Sequence, residues 1–141
     1  MGDIKAFLQP PVLNETKEVI ISKRFKDENG KPVPFVIRVI DQETNDRLTK
    51  KATKSSKSGA SAKDFDSMKY GKLLIDACVV TPNFKDSELC DYYKTVNPLD
   101  VPGRMLTAGE YKRLVNAILE LNEITVSDEE FDELDEEAKN L

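Results

Sequence analysis

The segment from Met105 to Ile124 constrains the fold most, because it specifies both the start and the buried side of a helix. Thr107 is followed three residues later by Glu110, which is the spacing of a capping box. In such a box each of the two side chains accepts a hydrogen bond from the backbone N–H of the other residue. Beyond the cap, apolar residues recur at helical spacing: Tyr111, Leu114, Val115, Ile118 and Leu121. The pattern predicts a helix over 107–122 with one buried face.

The two sides of this predicted helix differ sharply in polarity. Leu106 precedes the cap and is placed to pack on Tyr111 as a hydrophobic staple. The side away from the apolar stripe is polar and carries Lys112, Arg113, Asn116 and Glu120. An amphipathic helix does not by itself indicate a function. Its apolar side must pack against other elements of the chain.

The size and composition predict one domain and exclude several enzyme classes. A chain of 141 residues, 39% hydrophobic and 33% charged, is large enough for a core and lies outside the disordered range. The sequence contains no histidine, which excludes histidine acid–base catalysis, Ser–His and Cys–His pairs and histidine zinc sites. Cys78 and Cys90 are expected to be buried reduced thiols. No glycine-rich phosphate loop or nucleophile elbow is present, and Asp76 is expected to face solvent or cap a neighbour.

Residues 18–40 predict a β-hairpin. Two runs rich in β-branched residues, 18–25 and 33–40, flank Asn29-Gly30, which is a strong turn signal. Pro34 lies near the start of the second strand, where its missing N–H is tolerated. Because two strands alone are marginal in water, their apolar face needs helices or a third strand.

Three more helices are predicted, over about 42–54, 64–80 and 87–94. The first is capped by Asp41 or Thr44 and has so few apolar residues that it should lie on the surface. The second is apolar on most sides in its C-terminal half and should be buried. Ser87 is expected to cap the third.

Loops are predicted between these helices. The serine- and lysine-rich run at 55–63 is expected to be flexible, and the prolines and glycine at 97–103 indicate a second loop. The expected fold is α+β and mostly helical, with an N-terminal β-hairpin packed on a small core of about four to five helices.

Both ends are predicted to lie outside a globular domain of residues 17–126. Residues 1–16 form an arm whose short apolar turn is stopped by Pro10-Pro11. Residues 127–141 predict an acidic amphipathic helix, with a capping box at Ser127–Glu130 and an apolar stripe of Phe131, Leu134 and Ala138. We expect a cytosolic protein with no membrane partner, because no secretory leader or membrane-length apolar run is apparent.

Two charged segments are the candidates for binding. Arg47, Lys50, Lys51, Lys54, Lys57 and Lys63 make residues 47–63 basic. This segment is either a phosphate-contacting patch or a solvated helix end and loop that orders on a protein partner. The net charge of −5 disfavours a general nucleic-acid binder.

The acidic tail carries eight carboxylates between Asp128 and Glu137 but lacks the ligand pattern of an EF-hand, which favours partner binding over a metal. Its charge is opposite to that of residues 47–63, so the two segments are expected to attract each other within or between chains, and self-association is an open alternative. The candidate partner-binding residues are Arg47, Lys50, Lys51, Lys54, Phe131 and Leu134. No cofactor, metal or catalytic residue is predicted.

Several segments, taken in order, resemble the XkdN-like family of tail assembly chaperones from Gram-positive phages and PBSX-type prophages. The resemblance spans residues 17–140, with the loop 55–63 as its variable part. It is carried by Ser22–Asp27 with Gly30–Val33, by Ala52–Lys54, by Leu106, Gly109–Tyr111 and Leu114, and by Glu136–Asn140.

The resemblance implies a non-enzymatic assembly factor of the host cytoplasm that is absent from the finished virion. Such a factor binds the tape measure protein while tail tube protein polymerises around it. Related systems make a longer frameshifted product, and this chain resembles the short form. The rival hypothesis is a nucleic-acid-associated phage protein using residues 47–63. An enzyme ranks third.

Overall fold

The computed structural model describes residues 3–53 and 64–124, which form one three-stranded antiparallel sheet and five α-helices. The strands are β1 (Thr16–Val19), β2 (Phe35–Arg38) and β3 (Val79–Thr81). The helices are α1 (Gln42–Lys51), α2 (Ser67–Cys78), α3 (Ser87–Tyr92), α4 (Val101–Met105) and α5 (Ala108–Leu121). Two short 3₁₀ helices cover Asp3–Phe7 and Pro98–Asp100. The predicted mostly helical α+β fold is confirmed.

The predicted hairpin is present, but its paired strands are shorter than expected. β1 and β2 are antiparallel, with Thr16 opposite Arg38 and Val19 opposite Phe35. Gly30 takes a left-handed conformation in the turn, at φ 79°, and its N–H donates to the Asp27 carbonyl at 3.0 Å. The chain leaves the ladder after Val19 because Ile21 is drawn into the core, where its side chain is completely buried. Strand propensity over residues 20–25 is therefore overridden by packing.

The end of the second predicted helix was wrong, and the residues there form the third strand. The helix ends at Cys78, and Val79 pairs with Ile37 at the free edge of β2. Valine is β-branched and is well accommodated in an extended backbone. The edge of β2 supplies the backbone hydrogen bonds. In the sequence, Val79 and Val80 continue the apolar run of the predicted helix, so no break is visible there.

Two other local predictions were also wrong. The predicted loop at 97–103 contains the 3₁₀ turn Pro98–Asp100 and the start of α4, because each proline lies in a first helical turn, where an N–H is not needed. The cap of α3 is Asp86 and not Ser87, since the Asp86 carboxylate accepts from the N–H groups of Glu88 and Leu89. Asp86 is the cap because its own backbone is extended, at φ −60° and ψ 127°, as a cap requires, whereas Ser87 is already the first residue of the helix.

The core lies between the sheet, α2 and α5. Leu114 and Ile118 of α5 are completely buried, whereas Lys112, Arg113, Asn116 and Glu120 are exposed, so the predicted two sides of this helix are confirmed. The surface helix α1 begins at its Asp41 cap and is anchored by buried residues Leu48 and Ala52. None of the helices described is long and apolar enough to cross a bilayer. The predicted loop 55–63 and tail helix 127–141 lie outside the described residues.

Candidate partner-binding surfaces

The start of α5 is joined to the hairpin by a two-pronged ion pair. Arg24 Nε donates to Glu110 Oε2 at 2.9 Å, and Arg24 Nη2 donates to Glu110 Oε1 at 2.7 Å. Arg24 Nη2 also donates to the Met105 carbonyl, and the guanidinium lies 4.2 Å from the centre of the Phe25 ring. Arg24 and Glu110 come from two of the segments that carried the family resemblance. Both are accounted for by folding.

The predicted capping box completes this contact. We call the resulting cluster of Arg24, Thr107 and Glu110 the joint. Thr107 N–H donates to Glu110 Oε1 at 2.9 Å, and Glu110 N–H donates to Thr107 Oγ1 at 3.2 Å. The pKa of the Glu110 carboxyl is held well below its usual range, first by the hydrogen bonds from Arg24 and then by the Thr107 N–H. The same contact raises the pKa of Arg24. Glu110 therefore stays ionised in the folded protein far into acid.

The far end of α5 is tied down by Asn122, which sequence reasoning missed. Asn122 Oδ1 accepts from the Ile40 N–H at 2.8 Å, and Asn122 Nδ2 donates to the carbonyls of Ile118 at 2.9 Å and Arg38 at 3.3 Å. This one side-chain amide therefore hydrogen-bonds to backbone groups of both the last turn of α5 and the end of β2. Its partners lie up to 84 residues away in sequence, so no local pattern identifies it.

Three of the six predicted binding residues form a basic stripe on α1. Arg47, Lys50 and Lys51 are exposed and share one side of the helix, away from Leu48. Arg47 Nη2 donates to Thr44 Oγ1 at 3.0 Å. The other three predicted residues, Lys54, Phe131 and Leu134, lie outside the described residues. Their role in binding stays a prediction.

The structure places an aromatic side chain at the end of the α1 helix, which the sequence did not indicate. Thr53 and Phe65 form an isolated antiparallel bridge, and Asp66 N–H donates to the Ala52 carbonyl at 2.7 Å. The Phe65 side chain is half-exposed, and its ring centre lies 5.7 Å from that of Tyr70. The described residues on either side of 54–63 are thus held together beside the basic stripe.

The described part of the predicted arm 1–16, residues 3–15, exposes its apolar side chains, and Thr16 at its end begins β1. Ile4 and Leu8 are each 69% exposed, Phe7 is 77% exposed and Val12 is 66% exposed. The 3₁₀ helix Asp3–Phe7 has no buried residue. Ile4 and Phe7 are three residues apart and therefore lie on the same side of a 3₁₀ turn.

An open groove of about 450 Å³ runs between β1 and α5. Its strand side is formed by Lys17 and Val19, and its helix side includes Lys112, Arg113 and Ala117. A second hollow of about 380 Å³ lies beside α3, against Pro82, Leu89 and Tyr92.

The metal-ligating side chains and the two cysteines of the described residues bear on what chemistry this part of the chain can carry. In ranges 3–53 and 64–124, no three metal-ligating side chains come together. Burial raises the pKa of the Cys78 thiol to about 11, so it stays protonated and unreactive at neutral pH. Cys90 is also a buried free thiol, and its Sγ donates to the Phe84 carbonyl. The predicted pair of buried reduced thiols is confirmed.

Comparison with known proteins gives a consistent result. A family model described as phage XkdN-like tail assembly chaperone protein matches residues 4–139. YqbN of Bacillus subtilis (strain 168) is 39% identical over 129 residues, which cover 89% of this chain and 85% of YqbN. The phage-like element PBSX protein XkdN of the same strain is 36% identical over 141 residues, covering 96% of this chain and 93% of XkdN. A crystal structure of YqbN is similar at a TM-score of 0.68 and 32% identity, covering 86% of this chain and 94% of that one.

Proposed function

This chain belongs to the XkdN-like family of phage tail assembly chaperones, and we propose that it acts by binding the tape measure protein during tail assembly. The proposed role is non-enzymatic and belongs to the host cytoplasm, with the chaperone absent from the finished virion. Its purpose is to keep a long, aggregation-prone protein competent while the tail tube protein polymerises around it.

The observation that carries the proposal is the exposed apolar arm. Small soluble proteins bury large apolar side chains, and several exposed together in one segment mark a binding surface. The arm presents Ile4, Phe7, Leu8 and Val12 within nine residues, each about two-thirds exposed or more. Such a segment suits an amphipathic helix of the partner, whose apolar face also needs to be shielded from water.

The basic stripe on α1 supplies a second, polar contact in this proposal. Arg47, Lys50 and Lys51 are exposed cations, and long charged side chains of this kind set partner orientation and association rate more than affinity. We therefore assign the stripe a steering role, and we assign the apolar arm the larger share of the binding energy.

The experiment is co-expression of this chain with its cognate tape measure protein, followed by co-purification on a tag carried by the tape measure protein. The wild-type chain should raise the soluble fraction of the tape measure protein and elute with it. The double variant Phe7→Ser/Leu8→Ser should reduce the co-eluting chaperone by about tenfold, since it removes two apolar contacts. No complex with the wild-type chain at micromolar concentration overturns the proposal.

A matched control tests whether the arm is specific. Met68→Ser/Val96→Ser also removes two exposed apolar side chains, 76% and 100% exposed, from other surfaces. This variant should co-purify like the wild type. An equal loss of co-purified chaperone in both double variants would assign binding to nonspecific hydrophobic contacts and not to the arm.

The nucleic-acid hypothesis makes a separate prediction, favoured only by the basic stripe with Phe65 at the end of its helix. Binding through phosphate contacts weakens steeply with salt. A gel shift at low salt that disappears in Lys50→Glu/Lys51→Glu would support it. The absence of a shifted band at low salt would refute the nucleic-acid hypothesis.

A further inference from the structure

One face of the sheet is covered unevenly. Lys17 and Val19 of β1 stand directly opposite Ile37 and Phe35 of β2, so all four side chains belong to the same face. Ile37 and Phe35 are buried under the helical layer, whereas Lys17 is exposed and Val19 is only partly buried. Helix α5 contacts β2, and the groove beside it lies over β1. The groove therefore occupies the position of a neighbouring helix in a two-layer fold.

The groove has a basic rim and an apolar floor. Lys17, Lys112 and Arg113 line it together with a single acid, Glu120, and Val19 and Ala117 lie between them. A charged residue on the inner side of an edge strand protects that edge from aggregation, which accounts for Lys17 alone. It does not account for Lys112 on the facing side of α5, beside which Arg113 adds a second positive charge while donating to the Ile21 carbonyl. Together they describe a site for an acidic segment with an apolar stripe.

We propose that this groove is the docking site of the chain's own C-terminal segment, residues 127–141, packed as a helix antiparallel to α5. The segment carries eight carboxylates between Asp128 and Glu137, which complement the basic rim. Phe131, Leu134 and Ala138 recur at helical spacing and match the apolar floor. Docking gives Phe131 and Leu134 a contact inside the chain in place of a partner.

The end of α5 is compatible with a chain that turns back along the helix. Ile124 N–H donates to the Leu119 carbonyl and Glu123 N–H to the Glu120 carbonyl, with Glu123 in the left-handed conformation at φ 56°. These bonds form a Schellman motif, which ends a helix and turns the chain away from its axis. Residues 125–127 span up to about 10 Å, enough for the 8–10 Å between packed helices.

The lengths also agree. A helix over 128–138 is about 16 Å long, and the stretch of α5 that lines the groove, from Gly109 to Glu120, has about the same length. The basic stripe on α1 is a poorer fit, since it is an exposed helix side without a floor. The N-terminal end of α1 lies beside Ile124 and adds the acids Asp41, Glu43 and Asp46, which repel an acidic tail.

The test is hydrogen–deuterium exchange of the full-length chain alone, read on peptides from residues 127–141. The tail should exchange about tenfold more slowly than a synthetic peptide of the same residues, because docking protects its amides. Lys17→Glu/Lys112→Glu should remove this protection. Lys50→Glu/Lys51→Glu makes the same charge change on α1 and should leave it intact. Arg113 is left unchanged because its guanidinium donates to the Ile21 carbonyl.

Other outcomes overturn the inference. An unprotected tail in the wild-type chain, or protection that survives Lys17→Glu/Lys112→Glu, removes the groove as its site. Loss of protection only in Lys50→Glu/Lys51→Glu places the tail on α1. Protection that rises with protein concentration assigns the groove to the tail of a second copy.

A second variant guards against misfolding of the groove mutant. Phe131→Ser/Leu134→Ser leaves the described domain untouched and should also lose tail protection, while the exchange of α5 peptides stays slow. Retained protection in this variant contradicts the apolar contact. The readout needs no tape measure protein, so its failure leaves the proposed function standing.

Discussion

The joint at the start of α5 and the N-terminal arm use their side chains in opposite ways. At the joint, Arg24, Thr107 and Glu110 direct their polar groups at one another and at the backbone. On the arm, Phe7 and Leu8 are largely exposed. Arg24 and Glu110 of the joint lie in segments that carried the family resemblance, yet folding alone accounts for them. The arm contains residues that folding leaves unexplained, so binding is proposed there.

The largest effect on stability is expected in the core on which α5 packs. Ile118→Ala removes a completely buried side chain of α5, and the resulting cavity should lower the free energy of unfolding by about 2–5 kcal/mol. Urea unfolding measures the change. Val96→Ala, at a fully exposed apolar position, is the control and should stay within about 0.5 kcal/mol of wild type. Similar values for the two variants would contradict the described core.

The joint itself should give an intermediate effect that depends on pH. Because the pKa of Glu110 is lower in the folded than in the unfolded state, its stabilisation is fully present above the ordinary glutamate pKa. This stabilisation is lost as the pH falls from the pKa of an ordinary glutamate towards the lower pKa of Glu110 in the folded protein. Glu110→Gln should therefore lower the urea midpoint at pH 7, and its difference from wild type should shrink on acidification.

The matched control for the joint is Glu120→Gln, an exposed glutamate of the same helix. Its urea midpoint should follow that of wild type at every pH. A difference between Glu110→Gln and wild type that stays constant from pH 7 to strongly acidic conditions would refute the ion pair as its source.

The arm should give the smallest effect on stability. Phe7→Ser/Leu8→Ser changes two exposed side chains in a segment without buried residues, so the free energy of unfolding should change by no more than about 0.5 kcal/mol. Urea unfolding of the purified variant checks this. A loss above about 2 kcal/mol would mean that the arm is part of the folded domain, and the contrast with the joint would disappear.

Prediction from sequence succeeded where the stabilising contacts are local. The capping box of α5 joins residues three apart, and the hairpin turn lies within Asp27–Lys31 with Gly30 in its left-handed position, so both were visible in a short window. Prediction failed for Val79 and Val80, whose pattern suits a helix equally well until β2 offers a free edge. For the candidate site, the exposed stripe of Arg47, Lys50 and Lys51 was predicted, whereas Phe65 at the end of its helix was not.

The sequence by itself determined the amphipathic helix α5, its start at Thr107 and the mostly helical α+β class, because hydrogen bonds and apolar spacing within one turn specify them. Only the tertiary structure decided that Glu110, whose Oε1 already accepts the Thr107 N–H of the cap, would also accept from Arg24, 86 residues away in sequence. It also decided that one side of α5 would border an open basic groove. Both depend on how the chain is folded back on itself, which no short stretch of residues encodes.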